Sequence, residues 1–207
     1  MSTSTSNKQP GHLDDILLSV QSIPAVGGSL NCLFDNAATC SLITETAAKT
    51  LNLVGEKIMM EICTVNCRKT IDSAIYHVPL IDSTNKKHIV VAHQVKAISD
   101  GLAKVYLSGV KNLFSPSVQD KWESVTSRPT WSVDLLVGLD FMRLYHIELE
   151  RQDNLRIVQS LFAKGLILVG SHQLLKSSNL GLSENVAAIR HYAQASINRV
   201  SIHSVYN

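Results

Sequence analysis

In Leu30-Asn31-Cys32-Leu33-Phe34-Asp35-Asn36-Ala37-Ala38-Thr39-Cys40-Ser41-Leu42-Ile43-Thr44, an apolar run ends at a carboxylate and small residues follow. The chain then turns apolar again before a helical pattern opens at Thr44. A carboxylate at the end of a buried strand loses hydration, so it needs hydrogen-bond donors or a proton. The small residues leave room for another backbone to approach. Taken alone, the stretch also fits a turn aspartate whose side chain caps Ala37 or Ala38, the commonest use of Asp at a strand end.

About a hundred residues later comes Val133-Asp134-Leu135-Leu136-Val137-Gly138-Leu139-Asp140-Phe141-Met142, an apolar strand broken by glycine and followed by a single helical turn. Between and beyond the two segments the dominant signal is β. Short apolar or alternating runs at 30–34, 57–65, 75–81, 88–98, 103–110, 134–137, 147–149, 155–160 and 165–169 are bounded by Gly, Asn, Asp and Ser. Residues 81–87 are rich in turn formers and predict a hairpin. One internal helix is expected at 44–53, with Thr44 as N-cap, Glu45 at the positive end of the dipole, and Ala47, Ala48 and Leu51 on one face. Residues 111–131, with Pro116 and Pro129, read as a surface insertion without period.

These signals divide the chain into a polar N-terminal tail or linker at 1–25, a mainly β domain at 26–172, and a C-terminal tail or linker at 173–207 with a weak helical pattern at 183–195. The 207 residues are 45% hydrophobic and 17% charged, with 19 Lys and Arg against 17 Asp and Glu. The apolar fraction is too high for a disordered chain, and the near-neutral charge leaves no electrostatic footprint for nucleic acid. The longest apolar runs fall far short of the roughly 20 residues that a membrane helix needs, so no membrane contact is expected. The polar start lacks the pattern of a secretory signal. A cytoplasmic location with reduced thiols at Cys32, Cys40, Cys63 and Cys67 is the corresponding expectation.

Together, the Asp35 loop and the Leu135–Asp140 segment resemble the aspartic-protease core, in which an Asp-Ser/Thr-Gly loop is crossed by a hydrophobic-hydrophobic-Gly strand that leads to a short helix. Residues 33–53, Thr64-Val65-Asn66, 73–80, 133–145 and 154–172 are similar to the retropepsin-like protease of BEL/Pao retrotransposon polyproteins. The resemblance covers residues 30–172. It implies a retropepsin-like acid-protease barrel and an endopeptidase that needs no cofactor and processes a polyprotein. It also implies a homodimer in which Asp35 from each copy meets at the symmetry axis, because one chain offers only one such loop. By the same resemblance Asn36 and Ala37 support the dyad loop. Thr64, Val65, Asn66 and Cys67 form the substrate-binding tip of a flap, and Leu136, Val137, Gly138 and Asp140 form the structural crossing strand and its cap.

The sequence departs from the family pattern at three places. Asp35-Asn36-Ala37 stands where Asp-Ser/Thr-Gly is usual, the flap tip has no glycine, and Ala163 stands where relatives more often carry Gly. These departures support an alternative, a catalytically degenerate domain of the same fold that dimerises or binds peptide. Within the chain, Asp72-Ser73-Ala74 also fits Asp-Ser-small, but it runs straight into an alternating strand. Cys63-x3-Cys67, with His77, His88 and His93 downstream, has an allowed zinc spacing, yet residues 88 and 93 lie on opposite faces of a strand and no metal is expected. No nucleophile elbow and no phosphate loop is present in the sequence.

Overall fold

A computed structural model describes residues 16–64, 67–99, 102, 104–126 and 132–177. The expected helix at 183–195 and the start of the N-terminal tail lie outside them. The fold is mainly β, and its larger sheet has seven strands. In chain order, β1 is Ile16–Leu17, β2 Val20–Ala25, β3 Gly28–Phe34 and β4 Ser41–Thr44. Helix α1 follows at Glu45–Thr50, then β5 at Glu56–Thr64, β6 at Cys67–Ile81 and β7 at Lys87–Val95. The second half holds β8 (Val105–Tyr106), α2 (Pro116–Gln119), β9 (Val125–Thr126), β10 (Leu135–Val137), β11 (Ile147–Gln152), β12 (Leu155–Gln159), β13 (Leu166–Ser171) and β14 (Lys176–Ser177).

The seven strands run β2-β3-β10-β4-β7-β6-β5, and a further pairing of β2 with β6, Ala25 opposite Leu80, curls the sheet back on itself. Alternation explains which side faces in. Leu30, Cys32 and Phe34 of β3 are buried in the main core with Ile43, Val78, Leu80, Val90 and Ala92, while Leu33 and Leu42 pack on the opposite face. β10 is buried on both faces, with Leu135 and Val137 in one cluster and Leu136 in the other. A strand covered on both sides reads as an uninterrupted apolar run, which is why Leu135-Leu136-Val137 lacks polar alternation.

Local chemistry sets the connections. At the start of α1 the Thr44 hydroxyl accepts a hydrogen bond from the Ala47 amide (3.2 Å), and Glu45 and Lys49 pair across one turn. Ala47 and Ala48 pack their small faces on the barrel. The β6–β7 connection sets Ile81 opposite Lys87. Inside it the Asp82 carboxylate accepts from the Thr84 amide and hydroxyl, the Lys86 amide and His88 Nε2. Those bonds, His88 first, hold the Asp82 carboxyl well below the usual carboxylate range.

Two sequence expectations need correction. The boundaries at 25 and 173 cut into the fold: β2 pairs along its length with β3, β1 pairs with β13, and β14 pairs with β8. The apolar positions of β2, Val20, Ile23 and Ala25, are separated by polar residues and a proline, so the strand does not stand out by composition. Residues 111–126 are also more than a surface insertion. Val110, Phe114 and Val118 are buried, and the Trp122 ring lies 6.0 Å from that of Phe114. They close a second core against Leu17, Leu155, Ile157 and Leu168 on the smaller sheet, ordered β1-β13-β12-β11 with β9 beside β13. The spacing of four between residues 110, 114, 118 and 122 carried that signal, masked by Pro116 and the serines around it.

Candidate functional site

The Asp35 loop and the Gly138 turn are held together atom by atom. β10 runs parallel to β3, Val137 opposite Phe34, and antiparallel to β4, Leu136 opposite Leu42. It therefore enters between the two strands that flank Asp35. The Asp35 amide donates to the Val137 carbonyl (3.1 Å), and the Ala38 amide donates back to the Asp35 carbonyl (3.2 Å). The Ala37 amide donates to Asp35 Oδ1 (2.9 Å), so the loop's own backbone orients the half-buried carboxylate.

Across the crossing, the Leu139 amide donates to the Ala38 carbonyl (2.9 Å) and the Gly138 amide to Ser41 Oγ (3.0 Å). Ser41 is fully buried. Its hydroxyl donates to Asp140 Oδ1 (2.8 Å) and its amide to Asp140 Oδ2 (3.0 Å), so one carboxylate ties both arms of the crossing. Residue 138 has to be glycine for steric reasons. A Cβ there would stand 2.5 Å from the Cys40 carbonyl oxygen and 3.0 Å from the Ala38 carbonyl oxygen. After the crossing, a 3-10 segment over Leu139–Leu144 leads back to the site. There the Tyr145 hydroxyl donates to the same Val137 carbonyl that receives the Asp35 amide (2.9 Å). Burial, with the Asp35 and Asp140 charges adding to it, raises the Tyr145 phenol above its ordinary range, so the hydroxyl stays a donor.

Phe34, directly before Asp35, is gripped by rings: Tyr145 at 5.6 Å and His146 at 4.5 Å, both edge-on. Behind it lies a buried polar network. Gln21 Oε1 accepts from Ser160 Oγ (2.7 Å) and from His146 Nε2 (3.0 Å), which makes His146 Nδ1 the acceptor for Ser19 Oγ (3.0 Å). Burial, with Arg156 as a smaller cause, lowers the His146 pKa to about 4. The two described thiols are chemically quiet. Burial pushes the Cys40 thiol up to about 12, with the Asp140 charge adding, and raises that of Cys32 in the same direction.

The geometry thus brings together Asp35, Ala37, Val137, Gly138 and Asp140, with Leu136 packed on the outer face and Asn36 exposed at the turn. Thr64 and Cys67 pair at the head of the β5–β6 hairpin, and Val65 and Asn66 lie outside the described residues. Asp72 sits exposed in the middle of that hairpin, opposite Met59, and not at a strand end. Among the described residues no three His, Cys, Asp or Glu side chains are grouped as a metal site would require, and no helix is long and apolar enough to cross a membrane. Ser41 is a contributor that sequence reasoning missed. A lone polar residue opening an apolar strand was the available signal for Ser41. The chain matches no protein-family model, no curated protein and no solved structure.

Proposed function

We propose that this chain is a retropepsin-like aspartic endopeptidase of the kind found in BEL/Pao retrotransposon polyproteins, acting as a homodimer on extended peptide. The observation that carries the reading is the crossing itself: an aspartate at a strand end whose amide is bonded to a hydrophobic-hydrophobic-Gly strand threaded between its two flanking strands. Such a frame holds a carboxylate at a fixed height and leaves nothing of the loop to chance.

The chemistry follows from pairing that carboxylate with its symmetry mate. Two carboxylates about 3 Å apart cannot both ionise, so they share one proton. The ionised partner takes a proton from a water held between them, the water oxygen attacks the scissile carbonyl, and the protonated partner hydrogen-bonds the developing oxyanion. Asp35 is the group assigned to that role in each copy. Asn36 can donate and accept at the turn, where a hydroxyl is usual. The β5–β6 hairpin, closing over peptide, would exclude water.

A second reading keeps the fold without turnover. Ala37 places a methyl beside the carboxylate where glycine is usual, and this favours a module that dimerises or binds peptide. Cleavage of a peptide library at mildly acid pH, with and without pepstatin, separates the two. The peptidase reading expects pepstatin-sensitive cleavage that Asp35→Asn abolishes, and equal rates for the two proteins would refute it.

A further inference from the structure

The peptide unit between Val137 and Gly138 is pinned at both ends. Its N–H, the Gly138 amide, donates to Ser41 Oγ (3.0 Å), and its carbonyl, on Val137, accepts from the Asp35 amide (3.1 Å) and from the Tyr145 hydroxyl (2.9 Å). A carbonyl oxygen carries two lone pairs, so both donors can be served at once. Of these three bonds, two come from the Asp35 loop and the strand that leads out of it, the very parts that have to be positioned. The third comes from Tyr145, which the chain reaches after the 3-10 segment, on the far side of the crossing.

Tyr145 is itself well fixed. Its amide donates to the Met142 carbonyl (3.0 Å), Leu144 before it is buried in the main core, and its ring meets that of Phe34 edge-on at 5.6 Å. Phe34 directly precedes Asp35, so Tyr145 holds the aspartate twice, through the side chain before it and through the carbonyl that its amide reaches. Burial, and then the Asp35 and Asp140 charges, favour the protonated phenol. A phenol that keeps its proton remains a donor through the acid range in which a carboxylate pair shares one. The ring contact needs no hydroxyl, so one substitution separates the hydrogen bond from the packing.

We infer that Tyr145 is the positioning residue of the Asp35 carboxylate, fixing the Val137 carbonyl from outside the loop and so setting where the aspartate meets water and peptide. Tyr145 neither takes nor gives a proton in this role; it acts through the carbonyl. Its effect on turnover rests on the peptidase reading above, whereas its hold on the loop needs no turnover.

The test is Tyr145→Phe in the full chain, beside Tyr106→Phe, which alters an exposed phenol on β8. Hydrogen exchange is read at single amides by NMR. The Asp35 amide should exchange roughly ten-fold faster in Tyr145→Phe, and the Leu51 amide, bonded to the Ala47 carbonyl at the end of α1, should keep its rate. In peptide cleavage kcat should fall roughly ten-fold at constant KM, with the pH profile lowered in height and unchanged in shape. Tyr106→Phe should match wild type in both assays. An Asp35 amide that keeps the wild-type rate, or that speeds up only together with Leu51, overturns the inference whether or not the protein cleaves. A loss confined to KM, a pH profile of altered shape, or an equal effect in Tyr106→Phe does the same. The peptidase reading falls separately: a wild type that does not cleave removes the enzyme, and a selective change at the Asp35 amide still keeps Tyr145 as the residue that positions the loop.

Discussion

Replacing Gly138 with alanine tests the crossing directly. The added Cβ would lie 2.5 Å from the Cys40 carbonyl oxygen, 2.6 Å from its carbon and 3.0 Å from the Ala38 carbonyl oxygen. Carbon and oxygen do not approach that closely, and every atom met is backbone, so no side-chain rotation relieves the contact. Either β10 or the loop after Asp35 must shift by roughly 0.5–1 Å, a displacement that costs about 1–3 kcal/mol in a packed core. Such a shift also weakens the hydrogen bonds Leu139 to Ala38 and Gly138 to Ser41, each worth about 1 kcal/mol. We expect a loss of about 3 kcal/mol, seen as a fall of roughly 6–12 °C in the thermal midpoint for a chain of this size. Gly28→Ala is the control. Its Cβ would meet only the tip of Leu51, at 3.3 Å, and should cost well under 1 kcal/mol. Thermal unfolding of the three proteins decides the matter. Equal destabilisation by the two alanines, or a Gly138→Ala midpoint within 2 °C of wild type, would refute the steric account, with those thresholds set by roughly 2–4 °C per kcal/mol.

Ser41→Ala removes the hydroxyl that joins the Gly138 amide to Asp140 in a fully buried place, and should cost about 2–3 kcal/mol. A double-mutant cycle with Asp140→Asn should show coupling near 1 kcal/mol or more, and strict additivity would mean that the two arms are not tied there. His146 is neutral in the fold and titrates at about 4, against about 6.5 in an unfolded chain. The unfolded state binds the extra proton between those values, so stability falls as pH drops through that window, by up to about 3 kcal/mol. Urea midpoints at pH 7, 5.5 and 4.5 should show this slope, and His146→Gln should flatten it; a slope unchanged in the variant assigns the effect elsewhere. Cys40, protonated and buried, should resist alkylation at pH 8 in the native protein and react only on unfolding, which peptide mapping after iodoacetamide would reveal.

What could be read from residues alone followed the strength of local pattern. Thr44 with Ala47 and Ala48 specifies its helix by capping and by small faces at helical spacing, and residues 82–86 specify a turn; both stand in the fold as read. The apolar run at 135–137 announced burial but not its neighbours, because pairing with strands about a hundred residues away leaves no trace in a local window. The same limit hid the partner of Tyr145, whose hydrogen bond to the Val137 carbonyl only the tertiary path creates. Strand β2 and the residues at 110–122 were undervalued because polar residues and prolines dilute their apolar spacing. Asp35 shows both of its sequence readings at once: its side chain caps the amide of Ala37, as a turn aspartate does, and it stands beneath the crossing strand.

The placement of β10 has a consequence for how the chain is made. Until residue 137 has been synthesised, β3 and β4 stand with a vacant lane between them, and both present unsatisfied amides and carbonyls toward it. Local elements such as α1 and the β6–β7 hairpin can form early, but the loop bearing Asp35 acquires its shape only when a distant segment slots home. A chain built in this order withholds its most chemically demanding residue until nearly all of the barrel is already present.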